Sequence, residues 1–128
     1  MTSKIRGIGV DTEVNQRIGA LIEKSGERFL KKVFTDNEIN YCKGKKDHYG
    51  SFTARFAAKE AVFKALGTGL RDGLKWKDVE VLNDPLGKPY LCFYDKVKEK
   101  TGDDYVHLSL THTKSQATAF VIIERRKQ

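Results

Sequence analysis

The sequence predicts an α+β fold in which a mainly antiparallel sheet packs on one long buried helix. Three observations support this prediction: alternating, β-branched segments stand near both ends of the chain, helical spacing dominates its first half, and turn-forming residues join two short strands in its second half. A length of 128 residues is typical of one domain, so we expect a single domain over residues 1–128.

The amino-terminal half is predicted to hold one strand and four helical pieces. The strand covers residues 5–10 and ends at Asp11. A helix of about three turns runs from Glu13 to residues 25–26, because apolar residues recur there at helical spacing. A shorter helical piece covers residues 29–34.

A third helix is predicted from Thr35 and Glu38, which form a capping-box pattern. The polar, basic stretch over residues 43–50 is predicted to be a loop. The carboxyl-terminal half is predicted to form strands over residues 79–82 and 90–93, a short helix over 95–100, and strands over 106–110 and 117–123 joined by a turn over 111–115.

The fourth helix, residues 52–66, is the most informative segment. At ~100° per residue, phenylalanines and a leucine form one stripe and alanines cover the opposite side, so the helix is apolar nearly all round and is predicted to be buried. It nevertheless carries four charged residues: Arg55, Lys59, Glu60 and Lys64. Buried charges are costly unless they are paired or bind a ligand. The segment therefore predicts ion pairs or a ligand site.

Three carboxylates are candidates for binding a hard divalent cation such as Mg²⁺: Asp11, Glu13 and Glu60. Such cations take carboxylate oxygens and leave positions open for water and substrate phosphates. From spacing alone, a structural arrangement is the more common one, in which Glu60 pairs with Lys64 and Asp11 caps the following helix.

The charge balance favours anionic partners. Lysine and arginine number 24 against 17 for aspartate and glutamate, a net charge of +7, which suits polyphosphates, nucleic acids, acidic proteins or membrane surfaces. Arg55, Lys59, Lys64 and the loop lysines surround a helix that ends in Gly-Thr-Gly at 67–69, which suits a polyphosphate. For the loop lysines, a solvated surface is the simpler interpretation: Lys43, Lys45 and Lys46.

Several classes of protein are set aside. Zinc-ligand spacing, a serine nucleophile elbow and a Walker motif are missing from the sequence. The two cysteines, Cys42 and Cys92, are typical of reduced thiols, so we expect a cytoplasmic protein. No apolar run is long enough for a signal sequence or a membrane span, so the chain is expected to be soluble and unprocessed.

Four segments together resemble the holo-acyl carrier protein synthase family, the small 4′-phosphopantetheinyl transferases. They are GIGVD at 7–11, RFAAKEAVFKALGTG at 55–69, GKP at 87–89 and LSLTHT at 108–113. The resemblance implies Mg²⁺-dependent transfer of the 4′-phosphopantetheine arm of coenzyme A to a serine of apo acyl carrier protein in fatty acid biosynthesis, with release of adenosine 3′,5′-bisphosphate. It further implies a homotrimer with coenzyme A between subunits, and neither a nucleic acid nor a membrane as partner.

The resemblance also implies roles for individual positions. Asp11 and Glu60 match the metal-binding carboxylates, and Lys64 matches a pyrophosphate contact; these three form the implied catalytic set. Arg17 is similar to an arginine that docks the acidic helix of the carrier protein. The implied coenzyme A contacts, besides Lys64, are Arg55 and His112 at the 3′-phosphate end, with Gly67 and Thr113.

One position departs from the family pattern. Small members usually carry a glutamate three residues after the aspartate, where this chain has Val14; here the glutamate is Glu13, two residues after Asp11. This spacing is similar to the metal motif of the larger, pseudodimeric transferases. Side chains two apart share a face on an extended backbone and diverge on a helix, so Glu13 is a third ligand only if it lies on a strand.

Two functional alternatives stay open. One is a transferase for a carrier domain of a peptide or polyketide synthase. The other is a basic nucleic-acid-binding module that uses residues 43–46 and 125–127 as phosphate contacts. Within the transferase mechanism, either Glu60 or the metal centre takes the proton of the serine hydroxyl.

Overall fold

A ten-residue strand, β1 (Ile5–Val14), opens the described part of this computed structural model, which covers residues 4–126. The predicted strand end at Asp11 is wrong, because β1 continues its antiparallel pairing with the last strand as far as Val14 and Gln116. The ladder of backbone hydrogen bonds keeps Thr12 and Glu13 extended. The following helix therefore starts at Asn15 and not at Glu13.

Helix α1 (Asn15–Val33) contains a kink at Gly26, whose φ of 50° is left-handed. Gly26 is non-helical and divides this segment into two helical pieces, so the predicted helix end at residues 25–26 is confirmed. Helix α2 (Asp36–Lys43) begins with the predicted capping box: Thr35 Oγ1 accepts from the backbone N–H of Glu38, and the Glu38 carboxylate accepts from the backbone N–H of Thr35. That prediction is confirmed.

Helix α3 (His48–Leu66) is the buried helix expected from the sequence. It begins earlier than predicted, because the Asp47 carboxylate caps it by accepting from the backbone N–H of Gly50. The predicted loop over residues 43–50 therefore shrinks to 44–47. The helix ends at Gly67, whose φ of 78° is left-handed.

The alanine side of α3 lies directly on β1. A Cβ added to Gly9 would stand 1.9 Å from the carbonyl oxygen of Ala61, and one added to Gly7 would stand 1.9 Å from that of Ala65. Only glycine allows the two backbones to approach so closely. The phenylalanine side faces the other way, where Phe56 and Phe63 pack against the Trp76 ring.

The remaining elements are β2 (Val79–Asn83), β3 (Pro89–Phe93), α4 (Asp95–Thr101), β4 (Tyr105–His112) and β5 (Gln116–Glu124), with a short 3₁₀ turn at Trp76–Asp78. All strand pairings are antiparallel, as predicted, but they form two sheets: one in the order β1-β5-β4, the other β2-β3. The predicted turn over 111–115 shortens because β4 stays paired with β5 through His112.

The three-stranded sheet has one face on α3 and one face open. Side chains alternate along β1, so the glycines and Asp11 face the helix while apolar residues face outward. The exposed apolar residues of this outer face are Ile8, Val10, Val14 and Phe120, with 59%, 53%, 44% and 40% of their surface accessible.

The ends of the chain lie outside the described residues. These include Lys127, a candidate phosphate contact of the nucleic-acid alternative, and the termini of the predicted domain over residues 1–128, which stays a prediction. Between residues 4 and 126, no helix combines the length and the apolar character needed to cross a membrane.

Candidate active site

Asp11 and Glu13 project from the same face of β1. Both lie on extended backbone, two residues apart, so their side chains turn toward α3 together. Asp11 is buried, with 8% of its surface exposed, and Glu13 is half-buried. Glu13 therefore lies on a strand, which is the geometry in which its side chain shares one face with Asp11.

Lys64 reaches Asp11 from α3. Its Nζ donates to Asp11 Oδ1 at 2.9 Å and to the backbone carbonyl of Val10 at 3.1 Å. Helical side chains lean toward the amino end of their helix, which directs Lys64 back over the strand. The hydrogen bond to Asp11 raises the pKa of Lys64.

This contact replaces the structural arrangement favoured by spacing alone. Lys64 pairs with Asp11 and not with Glu60. Asp11 does not cap α1 either, because the residue that precedes the helix is Val14, which offers no side-chain cap.

Glu13 is held in a crowded carboxylate environment. Its burial, followed by the nearby Asp11 carboxyl group and its charge, raises the pKa of Glu13 to about 7. Arg17 opposes this rise, since its Nη1 donates to Glu13 Oε1 at 2.6 Å. The buried Asp11 Oδ2 beside it has no hydrogen-bond partner.

Glu60 adds a third carboxylate. It is half-buried on α3, and its burial, followed by the charge of Asp11, raises its pKa. The charges of Lys64 and Arg17 lower the same pKa but do not cancel the rise.

This donor set fits Mg²⁺. Among residues 4–126, no three His, Cys, Asp or Glu side chains are gathered closely enough to hold a metal ion by themselves. Mg²⁺ does not need such a cage, because it usually takes one or two carboxylates and completes its shell with water and substrate phosphate. The unpartnered Asp11 Oδ2, beside two carboxyl groups of raised pKa, is a suitable donor for an ion shared with a ligand.

A separate cavity of about 490 Å³ lies beside the amino-terminal part of α3. The residues that give it its chemistry are Tyr41, Lys45, Lys46, Arg55, Asn83 and His112. Arg55 is only 5% exposed; its Nη2 donates to Asn83 Oδ1 at 2.5 Å, while its Nε is buried without a partner. A buried guanidinium with a free donor in a cationic cavity is suited to an anion.

The loop lysines divide between two environments. Lys43 pairs with Glu27 on the surface, in keeping with the solvated interpretation. Lys45 and Lys46 are exposed as well, in keeping with the same interpretation, and they also line the cavity. Because Asp47 caps α3 and the helix starts early, these two lysines lie beside Arg55. The Asp47 cap is the sequence signal from which this placement could have been predicted.

Two predicted contact residues lie outside this cavity. Gly67 ends α3, with open space where a Cβ would stand. Thr113 Oγ1 accepts from the backbone N–H groups of Ser115 and Gln116 and so holds the turn between β4 and β5. The structure therefore gives each of them a local backbone role.

The carboxylate site and the cavity stand on opposite flanks of α3. Arg55 and Lys64 are nine residues apart, which at ~100° per residue places their side chains about 180° apart around the helix axis. The fold thus brings Asp11, Glu13, Lys64 and Arg17 into contact and keeps Arg55 with His112 apart from them.

Comparison with known proteins identifies the family. The model of the 4′-phosphopantetheinyl transferase superfamily matches residues 7–121. The chain belongs to this superfamily. A relative from Halothermothrix orenii, a holo-[acyl-carrier-protein] synthase, is 46% identical over 123 residues, which cover 94% of this chain and 98% of that protein.

Solved structures of the family have the same fold. A holo-(acyl-carrier-protein) synthase from Bacillus anthracis, in complex with CoA (3′,5′-ADP), is 38% identical and has a TM-score of 0.81. The match covers 95% of this chain and 98% of that chain. The holo-[acyl-carrier-protein] synthase of Neisseria meningitidis is 33% identical, with a TM-score of 0.85 over 94% of this chain and 99% of its own. The resemblance and the α+β fold inferred from the sequence are confirmed, and this family member is an enzyme, a transferase.

Proposed function

We propose that this protein transfers the 4′-phosphopantetheine arm of coenzyme A to a serine hydroxyl of an apo acyl carrier protein, releasing adenosine 3′,5′-bisphosphate, and so serves fatty acid biosynthesis. The observation that carries this proposal is the pair of sites on α3. A carboxylate site suits a metal-bound diphosphate, and a cavity around the buried Arg55 suits a terminal phosphate. Coenzyme A carries both groups. The family membership of the chain supports the same reaction.

Asp11 and Glu60 are the proposed metal ligands, with Glu13 as a third. Bound Mg²⁺ would offset the charge of the diphosphate and of the leaving bisphosphate. Lys64 is 53% exposed, so it can turn from Asp11 to a diphosphate oxygen and stabilise the same charge. Either Glu60 or the metal centre takes the serine proton, and the half-buried Glu60 carboxylate is the residue of this chain that we propose for that step. The serine oxygen then bonds to the β-phosphorus as the bond to the bisphosphate oxygen breaks.

The 3′-phosphate end of coenzyme A is assigned to the cavity. Arg55 and His112 were expected there from the resemblance, and Lys45 with Lys46 adds two further cations. Gly67 and Thr113 are proposed to contribute through the backbone turns that they form at the end of α3 and between β4 and β5.

The proposed assembly is a homotrimer. Since α3 separates the two sites, we propose that one coenzyme A molecule uses the carboxylate site of one subunit and the cavity of its neighbour. The exposed apolar outer face of the three-stranded sheet, which includes Ile8, Val10 and Phe120, supplies a surface that a neighbouring subunit would cover. The number three comes from the family resemblance.

Arg17 is the proposed docking residue for the acidic carrier protein. Its side chain is 60% exposed and ion-paired with Glu13, so it stands at the edge of the carboxylate site. A carrier held there would present its serine close to the reacting phosphate. We assign the protein to the cytoplasm, which its two free cysteines, Cys42 and Cys92, support.

The test combines the protein with apo acyl carrier protein, coenzyme A and Mg²⁺ and follows the mass of the carrier. We expect the mass to increase by one phosphopantetheine arm, and to stay unchanged when a chelator is present. Glu60→Gln should lower the rate at least about 100-fold while the protein stays folded. Glu99→Gln, at an exposed position on α4, is the matched control and should retain the rate.

Two results would count against the proposal. If Glu60→Gln retains the rate of the unchanged protein, Glu60 has no part in the chemistry. If a carrier domain of a peptide or polyketide synthase is modified much faster than acyl carrier protein, the alternative substrate is the correct one. Family membership favours the transferase over the nucleic-acid-binding module.

A further inference from the structure

The ring of Tyr41 carries two cations at the edge of the cavity. The Arg55 guanidinium carbon lies 4.2 Å from the ring centroid, and Lys45 Nζ lies 4.7 Å from it. Tyr41 itself is 36% exposed and lines the cavity. One aromatic side chain thus contacts both a buried and an exposed cation of the same site.

These cations repel one another before any anion arrives. Among residues 4–126, the only carboxylate that lines the cavity is Asp47, and its side chain accepts from the backbone N–H of Gly50 as the cap of α3. The negative face of an aromatic ring attracts cations, and the attraction is stronger where water is excluded. The Tyr41 ring therefore offsets part of this repulsion and holds the two side chains near the cavity.

The contacts around Arg55 engage only some of its five N–H donors. Asn83 accepts from Nη2, the Tyr41 ring covers the guanidinium, and Nε remains buried and unpartnered. A guanidinium fixed in this way loses little conformational entropy when an anion binds. The tyrosine acts on the ligand through Arg55 and Lys45, because it supplies no charge of its own.

We propose that Tyr41 is a positioning residue that holds Arg55 and Lys45 ready for the 3′-phosphate of coenzyme A, and that it thereby sets the preference of the enzyme for coenzyme A over the same molecule without that phosphate. The inference rests on the proposed function, because it names the group that the cavity of that function recognises.

The test compares Tyr41→Leu and Tyr41→Met, which remove the ring, with Tyr41→Phe, which keeps it. Transfer to apo acyl carrier protein is measured with coenzyme A and with dephospho-coenzyme A, which lacks the 3′-phosphate. We expect Tyr41→Leu and Tyr41→Met to raise the KM for coenzyme A about three- to ten-fold at unchanged kcat, and to leave the KM for dephospho-coenzyme A unaltered. Tyr41→Phe should have the same two KM values as the unchanged protein.

Tyr90→Leu is the matched control, since Tyr90 is 45% exposed and, in the described part of the chain, no cation lies over its ring. It should leave both KM values unaltered. The inference is overturned if Tyr41→Leu and Tyr41→Met change the two KM values equally, if they change neither value, or if both variants fail to fold. Absence of any transfer by the unchanged protein would instead overturn the proposed function.

Discussion

Glu13 and His112 flank the same residue of β5 from opposite sides: Ala117 pairs with Glu13 on β1 and with His112 on β4. Two strand spacings put their backbones about 10 Å apart. Helix α3 packs against β1 and β5 and carries Arg55 and Lys64 on opposite flanks, so the carboxylate site and the cavity are close in the sheet yet separated by the helix. This relationship supports the proposed site shared between subunits.

The first prediction is that two inactive variants restore one another. Glu60→Gln disables the carboxylate site and Arg55→Ala disables the cavity, so each alone should show little transfer at coenzyme A concentrations below KM. The two variants are co-expressed in equal amounts so that their chains assort at random. About a quarter of the shared sites should then contain an intact Glu60 from one chain and an intact Arg55 from its neighbour, and these sites should be active. Transfer assays of the mixed oligomer measure this. Activity no higher than the average of the two variants would place both sites in one subunit.

The second prediction concerns Gly9, where β1 lies on α3. Gly9→Ala should destabilise the protein by more than about 3 kcal/mol, because the new methyl would stand 1.9 Å from the Ala61 carbonyl oxygen and the backbones would have to separate. Urea unfolding measures the change. Gly44→Ala is the control: its φ is −79° and its nearest contact would be an ordinary 3.5 Å, so it should cost less than about 1 kcal/mol. Equal costs at the two positions would contradict the close packing.

The third prediction is a pH dependence of stability in metal-free protein. The pKa of Glu13 rises from 4.5 to about 7 on folding, chiefly through burial, so between these pH values the folded state holds a proton that the unfolded state has lost. The free energy of unfolding should therefore fall as the pH rises through this window. Added Mg²⁺ should reverse the loss at neutral pH.

Thermal unfolding across pH 4 to 8 tests this, with Glu13→Gln as the variant and Glu99→Gln as its exposed control. Glu13→Gln should flatten the slope, although Glu60, whose pKa is also raised by burial, leaves a remainder of the same sign. An unchanged slope in Glu13→Gln would assign the pH dependence to other groups.

The fourth prediction concerns the buried ion pair between Lys59 and Glu38, both 0% exposed, with Nζ 2.8 Å from Oε1. Burial lowers the pKa of Lys59, and Glu38 partly restores it. Lys59→Met should cost about 3–5 kcal/mol, because Glu38 is left buried and unpaired. Lys43→Met, which breaks the exposed pair with Glu27, should cost no more than about 1 kcal/mol.

A double-mutant cycle sharpens this comparison. Glu38→Gln added to Lys59→Met should cost less than the sum of the two single changes, because the unpaired charge is removed. Additive costs in urea unfolding would show that the two side chains stabilise the fold independently.

The fifth prediction separates carrier docking from coenzyme A binding. Arg17→Gln should raise the KM for acyl carrier protein about ten-fold and weaken its salt dependence, while the KM for coenzyme A changes little. Glutamine is preferred to glutamate because a new carboxylate beside Glu13 would disturb the metal site. Arg28→Gln, at an exposed position on the same helix, is the control. Equal effects on both KM values would remove Arg17 from carrier docking.

Much of this architecture could be predicted from local sequence. The capping box at Thr35 and Glu38, the all-round apolar character of α3 and the alternation of the strands depend on residues near in the chain, so spacing alone reveals them. Element ends were less predictable. β1 continues to Val14 because β5 pairs with it from more than 100 residues away, and such a partner leaves no mark on the local pattern.

The order of amino acids sets which residue types are available: two glycines that let a strand lie on a helix, three carboxylates, and a surplus of positive charge. How these residues combine depends on the packing of the folded chain. In the folded chain, Lys64 pairs with Asp11, and Glu13 lies on a strand beside them. The Tyr41 ring contacts Arg55, and both residues line a cavity with Lys45. These contacts join distant segments, and their partners are chosen by how helices and strands pack, which is a property of the whole fold and not of any one segment.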